Sequence, residues 1–133
     1  MVTLGVRDVG RARAFYEALG WRGAGGTGGE PVFFQAGDMV VALWDRALLA
    51  DDSCMDDTGG WGGITLAHNV GSRSEVETVT EAVRAAGGRV GREPAETFWG
   101  GYDSIVIDPD GHPWEIAHNP GWLLDPEGGL HLA

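Results

Sequence analysis

Short bursts of apolar residues alternate with polar ones along this chain, and two longer stretches switch to helical spacing. Val2-Thr3-Leu4-Gly5-Val6 reads as a strand. From about Val9 to Leu19, residues Ala12, Phe15, Tyr16 and Leu19 form an apolar stripe at i, i+3, i+4, i+7 spacing and predict a helix. Asp8 fits its N-cap and Gly20 its left-handed C-terminal residue. Pro31 to Gln35 and Met39 to Trp44 follow as strands about a Gly37-Asp38 turn. The pattern then starts again. Ile64 to Val70 reads as a strand, and Ser72 and Glu75 form an S-x-x-E capping box. Val76, Val79, Val83 and Ala86 line one face of a second helix, which Gly87-Gly88 ends. Arg89 to Gly91 begins a short strand, Asp103 to Ile107 forms another, and the last runs to about His118. Between these last two, Asp108-Pro109-Asp110-Gly111 is a turn: proline presets φ and glycine takes the left-handed position.

The elements repeat as two βαβββ units of about sixty residues, and a repeat at this scale organises the whole chain. The first module spans about 1–46, an acidic linker 47–62, the second module about 63–118 and a tail 119–133. The tail carries Trp122, Leu123, Leu124, Leu130 and Leu132, and so needs a surface on which to dock. Gly23 to Gly29 matches G-x-G-x-x-G, but a helix precedes it and a strand follows. A dinucleotide loop needs the reverse order, so the segment reads as a flexible turn. The linker with Asp51, Asp52, Asp56 and Asp57 lacks EF-hand spacing and reads as solvated.

Two stretches carry a family likeness. Val6-Arg7-Asp8, Ala14-Phe15-Tyr16 and Leu19-Gly20-Trp21 near the start, with Asp108 to Ile116 near the end, resemble the vicinal oxygen chelate superfamily. That superfamily includes glyoxalase I, bleomycin-resistance proteins and extradiol dioxygenases. The resemblance covers nearly the whole chain and implies an α+β fold: two paired βαβββ modules forming a curled mixed sheet around a cavity. Fold alone does not give chemistry.

Composition narrows the partners. The net charge of −11 disfavours nucleic acid and anionic membrane surfaces. An apolar fraction of 43% is ordinary for a globular chain, and no apolar run is long enough to span a bilayer. With no signal-peptide pattern and a single cysteine, Cys54, a cytoplasmic protein is expected. A homodimer is expected from the apolar tail and from the resemblance.

Metal-using members of the superfamily place one His, Glu or Gln ligand at the start of each module's first strand and one on each last strand. Aligned on Val6 and Val70, those positions are Met1, Thr65, Ala42 and Glu115. Only Glu115 is a good ligand for a hard divalent cation, and one carboxylate does not close a metal site. No metal or other cofactor is expected, a divalent metal remaining the alternative. His112, Glu115 and His118 invite an H-x-x-E-x-x-H reading, but on a strand residues three apart face opposite ways. His68 shares the outward side with Leu66 and Val70.

Glu115 is the candidate catalytic residue, since a carboxyl in an apolar cavity has a raised pKa. The alternative is a structural carboxylate paired with an arginine or Tyr102. Trp44, Thr65, Ala67, Asn69, Trp99 and Tyr102 are the candidate ligand-binding residues: two aromatic platforms, small cavity-parity residues that leave room, and polar edges. Phe98 and Trp114 are expected to fill the core. Two functions follow. One is a binding protein that sequesters a small organic molecule by stacking, without metal. The other is a glyoxalase-like lyase or dioxygenase-like enzyme using Glu115 as metal ligand or general base.

Overall fold

The computed structural model describes residues 1–62 and 64–132, with only the backbone at His131 and Leu132. The chain divides into two compact units, Met1–Gly62 and Gly63–Ala133.

The first unit runs β1 (Val2–Val6), α1 (Val9–Ala18), β2 (Gly23–Gly25), β3 (Val32–Ala36), β4 (Met39–Asp45) and α2 (Arg46–Asp52). Its four strands take the order β1-β4-β3-β2, with β1 parallel to β4 and the other pairs antiparallel. Asp8 caps α1 by accepting from the Arg11 N–H at 2.9 Å. The α1 stripe meets the sheet through Phe15, Tyr16 and the buried residues Val6, Phe34, Val41 and Leu43. Tyr16 and Trp21 both lie against Phe34, with ring centroids 5.9 and 5.7 Å away.

Two expectations change in this unit. The glycine segment contributes the edge strand β2, because Gly23 lets the chain close on Val32 and Phe34, each 3.0 Å from where a Cβ would stand. The linker opens with a helix. Asp45 accepts from the N–H groups of Ala47 and Leu48, both at 3.0 Å, and Ala47 to Ala50 are good helix formers. Arg46 then clamps Asp57 bidentately at 2.6 and 2.8 Å, which folds the acidic stretch back. Gly5 leaves space for α2, with the Arg46 Cγ only 3.1 Å from a Cβ placed there.

The second unit repeats the plan with β5 (Leu66–Asn69), α3 (Arg73–Ala85), β6 (Arg89–Glu96), β7 (Tyr102–Ile107) and β8 (Pro113–His118), in the order β5-β8-β7-β6. Again the first strand is parallel to the last. The capping box forms as expected: the Ser72 hydroxyl accepts from the Glu75 N–H at 3.2 Å, and Glu75 accepts from the Gly71 N–H at 2.7 Å. Val76, Thr80 and Val83 are the buried positions of α3. Thr80 donates to or accepts from the Ser104 hydroxyl at 2.7 Å, which fixes α3 on the even-numbered face of β7.

β6 is longer than the sequence suggests. Its register slips twice, between Val90 and Arg92 and between Arg92 and Ala95, and Pro94 sits in that irregular stretch. The tail forms β9 (Trp122–Leu124) and β10 (Leu130–Leu132), a small antiparallel hairpin. Leu123 and Leu124 remain exposed on it. Phe98, expected in the core, is fully exposed at the β6–β7 turn, whereas Trp114 is buried.

Candidate ligand site on the second sheet

The site begins with the turn between β7 and β8. The Asp108 carboxylate accepts from the N–H groups of Asp110 and His112, and the Asp108 N–H donates to the His112 carbonyl at 3.0 Å. This closes the hairpin so that Ile107 pairs with Pro113, Ile105 with Glu115 and Asp103 with Ala117. Directly paired residues share a face. Tyr102, Ser104 and Val106 therefore lie with Trp114, Ile116 and His118 on the side of α3. Asp103, Ile105, Glu115 and Ala117 lie on the opposite side, where the parallel pairing of β5 adds Ala67 beside Glu115 and Asn69 beside Ala117.

On that open face three charged side chains form a diagonal. Arg92, opposite Ile105 on β6, donates to Asp103 at 2.6 Å. The Asp103 side chain is only 5% exposed. Asp103 in turn stands diagonally across the strand pair from Glu115. Burial is the main influence on Glu115 and raises its pKa above the ordinary value; Asp103 pushes the same way, and Arg92 pulls it down. In the alternative reading Glu115 pairs with an arginine or Tyr102; its neighbour on this face is Asp103, with Arg92 one residue further on and Tyr102 on the other face.

Glu115 opens into a concavity of about 460 Å³ lined by Ala67, Asn69, Trp99, Glu115, Ala117, Asn119 and Trp122. Trp99 and Trp122 are each a little under half exposed. Trp99 lies over Gly101, where a Cβ would overlap its ring. The turn behind it is held by the Gly101 N–H donating to the Thr97 hydroxyl at 2.9 Å and the Thr97 N–H donating to the Gly101 carbonyl at 3.0 Å.

Of the residues singled out in the sequence, Ala67, Asn69, Trp99 and Glu115 come together here. Three do not. Thr65 precedes β5 and is exposed, because the strand starts only at Leu66. Tyr102 lies on the helix side: its hydroxyl donates to Glu77 at 3.0 Å, and the Arg73 guanidinium stands 5.3 Å from its ring centre. Trp44 belongs to the first unit, on the face shared by Thr3, Phe33 and Ala42, with its indole N–H donating to the Gly29 carbonyl at 2.9 Å. His118 has its Nδ1 3.3 Å from the Val70 carbonyl, on the face away from Glu115. His68 shares that side.

Asp103, Arg92, Ala117, Asn119 and Trp122 were not foreseen. The first two were within reach, since the Asp108–Gly111 turn sets the register that brings Asp103 to the face of Glu115. Trp122 had no such signal, because its place depends on how the tail docks.

The repeat of parallel-paired βαβββ units is matched by a family model. The Glyoxalase/Bleomycin resistance protein/Dioxygenase superfamily model matches residues 1–116. The chain belongs to this superfamily. A glyoxalase-related enzyme from Fulvimarina pelagi shares the superfamily architecture at 37% identity and a TM-score of 0.91, over 99% of this chain and 96% of that one. A hypothetical protein from S. aureus is similar at 25% identity and a TM-score of 0.80, over 89% and 91% of the two chains. Lactoylglutathione lyase from Agrobacterium tumefaciens, at 23% identity, a TM-score of 0.68 and coverage of 90% and 92%, shows the fold alone. No curated protein matches the chain.

The metal that the superfamily resemblance implies does not fit the side chains at its positions. Met1 is a soft, exposed thioether, Ala42 has no donor and Thr65 is a weak one, which leaves Glu115 as a single carboxylate. Among the described residues, no group of three or more His, Cys, Asp or Glu side chains is arranged to hold an ion.

Proposed function

We propose that this protein binds a small organic molecule in the concavity of the second sheet, with Trp99 and Trp122 as aromatic platforms and Glu115 as the polar anchor, and without a bound metal. The observation that carries this reading is one concavity lined by a partly buried carboxyl and two half-exposed indoles, with only alanine and asparagine as its other lining residues. Pockets for organic ligands combine apolar walls with a few placed polar groups in this way. Ala67 and Ala117 flank Glu115 and leave its carboxyl reachable.

A planar aromatic probe should quench tryptophan emission. Ring pairing contributes roughly 0.5–1.5 kcal/mol beyond burial. Trp99→Ala should therefore weaken binding by about threefold to tenfold with little change in thermal stability. Unchanged affinity with a sharply lower melting temperature would make Trp99 a structural residue and overturn the reading. Elemental analysis of the purified protein should find no stoichiometric zinc, nickel, iron or manganese; about one per chain, lost in Glu115→Ala, would contradict the metal-free part.

A second reading, proton transfer by Glu115, is favoured by its raised pKa, since a carboxyl shifted upwards exchanges its proton closer to working pH than an ordinary one. Turnover of a bound molecule, abolished in Glu115→Gln, would decide for it.

A further inference from the structure

We propose that the ligand of this concavity is an organic cation, an aromatic molecule carrying a quaternary or protonated amine. The inference rests on the reading of the concavity as a ligand site and adds its charge class.

Charge counting along the diagonal leads to it. Two carboxyls share one guanidinium, and that guanidinium is committed to Asp103 at 2.6 Å. Glu115 is left facing the concavity, where the other lining residues are two alanines, two asparagines and two tryptophans. None of these offers a positive charge. An anionic ligand would meet Glu115 with no counter-charge in the lining, and a neutral one would leave the imbalance as it is. A cation would complete the set.

The walls suit the same guest. Trp is the strongest aromatic partner for a cation held over its face, more so when the pair is desolvated. Trp99 and Trp122 line the same concavity as the carboxyl, and aromatic side chains are what recognise quaternary ammonium groups. The chain's net charge of −11 adds long-range attraction for a cation.

Three probes of one shape test this by calorimetry at neutral pH: (2-naphthylmethyl)trimethylammonium, 2-naphthylmethanol and 2-naphthoate. The ammonium should bind at least about tenfold more tightly than the alcohol, with the naphthoate weakest. In Glu115→Gln the ratio of ammonium to alcohol affinity should fall to within about threefold. The three-probe comparison on the unaltered protein stands whether or not that variant folds. If the alcohol or the naphthoate binds as tightly as the ammonium, and Trp99→Ala weakens it, the concavity is a ligand site but not for cations. If none of the probes binds, both the site and its charge class are overturned.

Discussion

Asp103 and Glu115 stand diagonally across the β7–β8 pair on one face of the sheet, Asp103 opposite Ala117 and Glu115 opposite Ile105. Arg92 braces Asp103 from the far side. The sheet therefore holds two neighbouring carboxyls at the edge of a concavity, one buried against an arginine and the other lining the concavity.

This pair makes stability depend on pH with a definite sign. The folded pKa of Glu115 lies above its ordinary 4.5, so its contribution is fully present below that value and is lost as pH rises through the folded pKa. Glu115→Gln lacks this loss. In urea titrations its stability relative to the wild type should improve from about pH 4.5 towards neutrality. Asp57, whose pKa is lowered to about 2, acts in the opposite sense and in a lower window, weakening the fold only as pH falls through that range. A constant gap between the two proteins from acid to neutral pH would sink the assignment.

Gly101 and Gly100 should separate ligand binding from backbone strain. A methyl at Gly101 overlaps the Trp99 ring, so Gly101→Ala should displace the indole, shift its emission and weaken probe binding at least as much as Trp99→Ala. A methyl at Gly100 touches nothing within 4 Å, but φ there is +90°. Gly100→Ala should lower stability by about 1 kcal/mol through backbone strain, with a smaller effect on binding. Equal effects of the two substitutions on affinity would argue against a ring-positioning role for Gly101.

Within the core, Thr80→Val should cost more than Ser104→Ala. Thr80 bonds both the Val76 carbonyl and the Ser104 hydroxyl at 2.7 Å, and both side chains are buried. Valine at 80 strands Ser104, a loss of about 1–3 kcal/mol. Alanine at 104 leaves Thr80 bonded to Val76. Denaturation midpoints check the order.

The tail hairpin leads us to expect a homodimer. Leu123, Leu124 and Leu130 are each at least 40% exposed on β9 and β10, and apolar surface of this kind marks contacts. Light scattering should give twice the chain mass at micromolar concentration, and Leu123→Glu with Leu124→Glu should reduce it to the monomer. A monomer mass for the unaltered protein rules the dimer out.

Much of this architecture was legible because it is local. The capping box at Ser72 and Glu75, the stripe from Ala12 to Leu19 and the turn at Asp108–Gly111 are each satisfied by neighbours within four residues, so spacing alone placed both helices and the last hairpin. Strand alternation likewise put Glu115 and His118 on opposite faces. The sequence did not determine what depends on distant partners. β2 exists because a glycine edge can close on Val32 and Phe34, and α2 because Asp45 is free to cap it. β6 runs past Pro94 because two register slips absorb the residues that cannot pair. The neighbours of Glu115 lay out of reach for the same reason: the diagonal from Arg92 through Asp103 to Glu115 spans three strands, and only the assembled sheet fixes which side chain stands next to which. Trp122 is the extreme case, since apolar character told that the tail must dock but only tertiary packing decided that its ring would border the concavity.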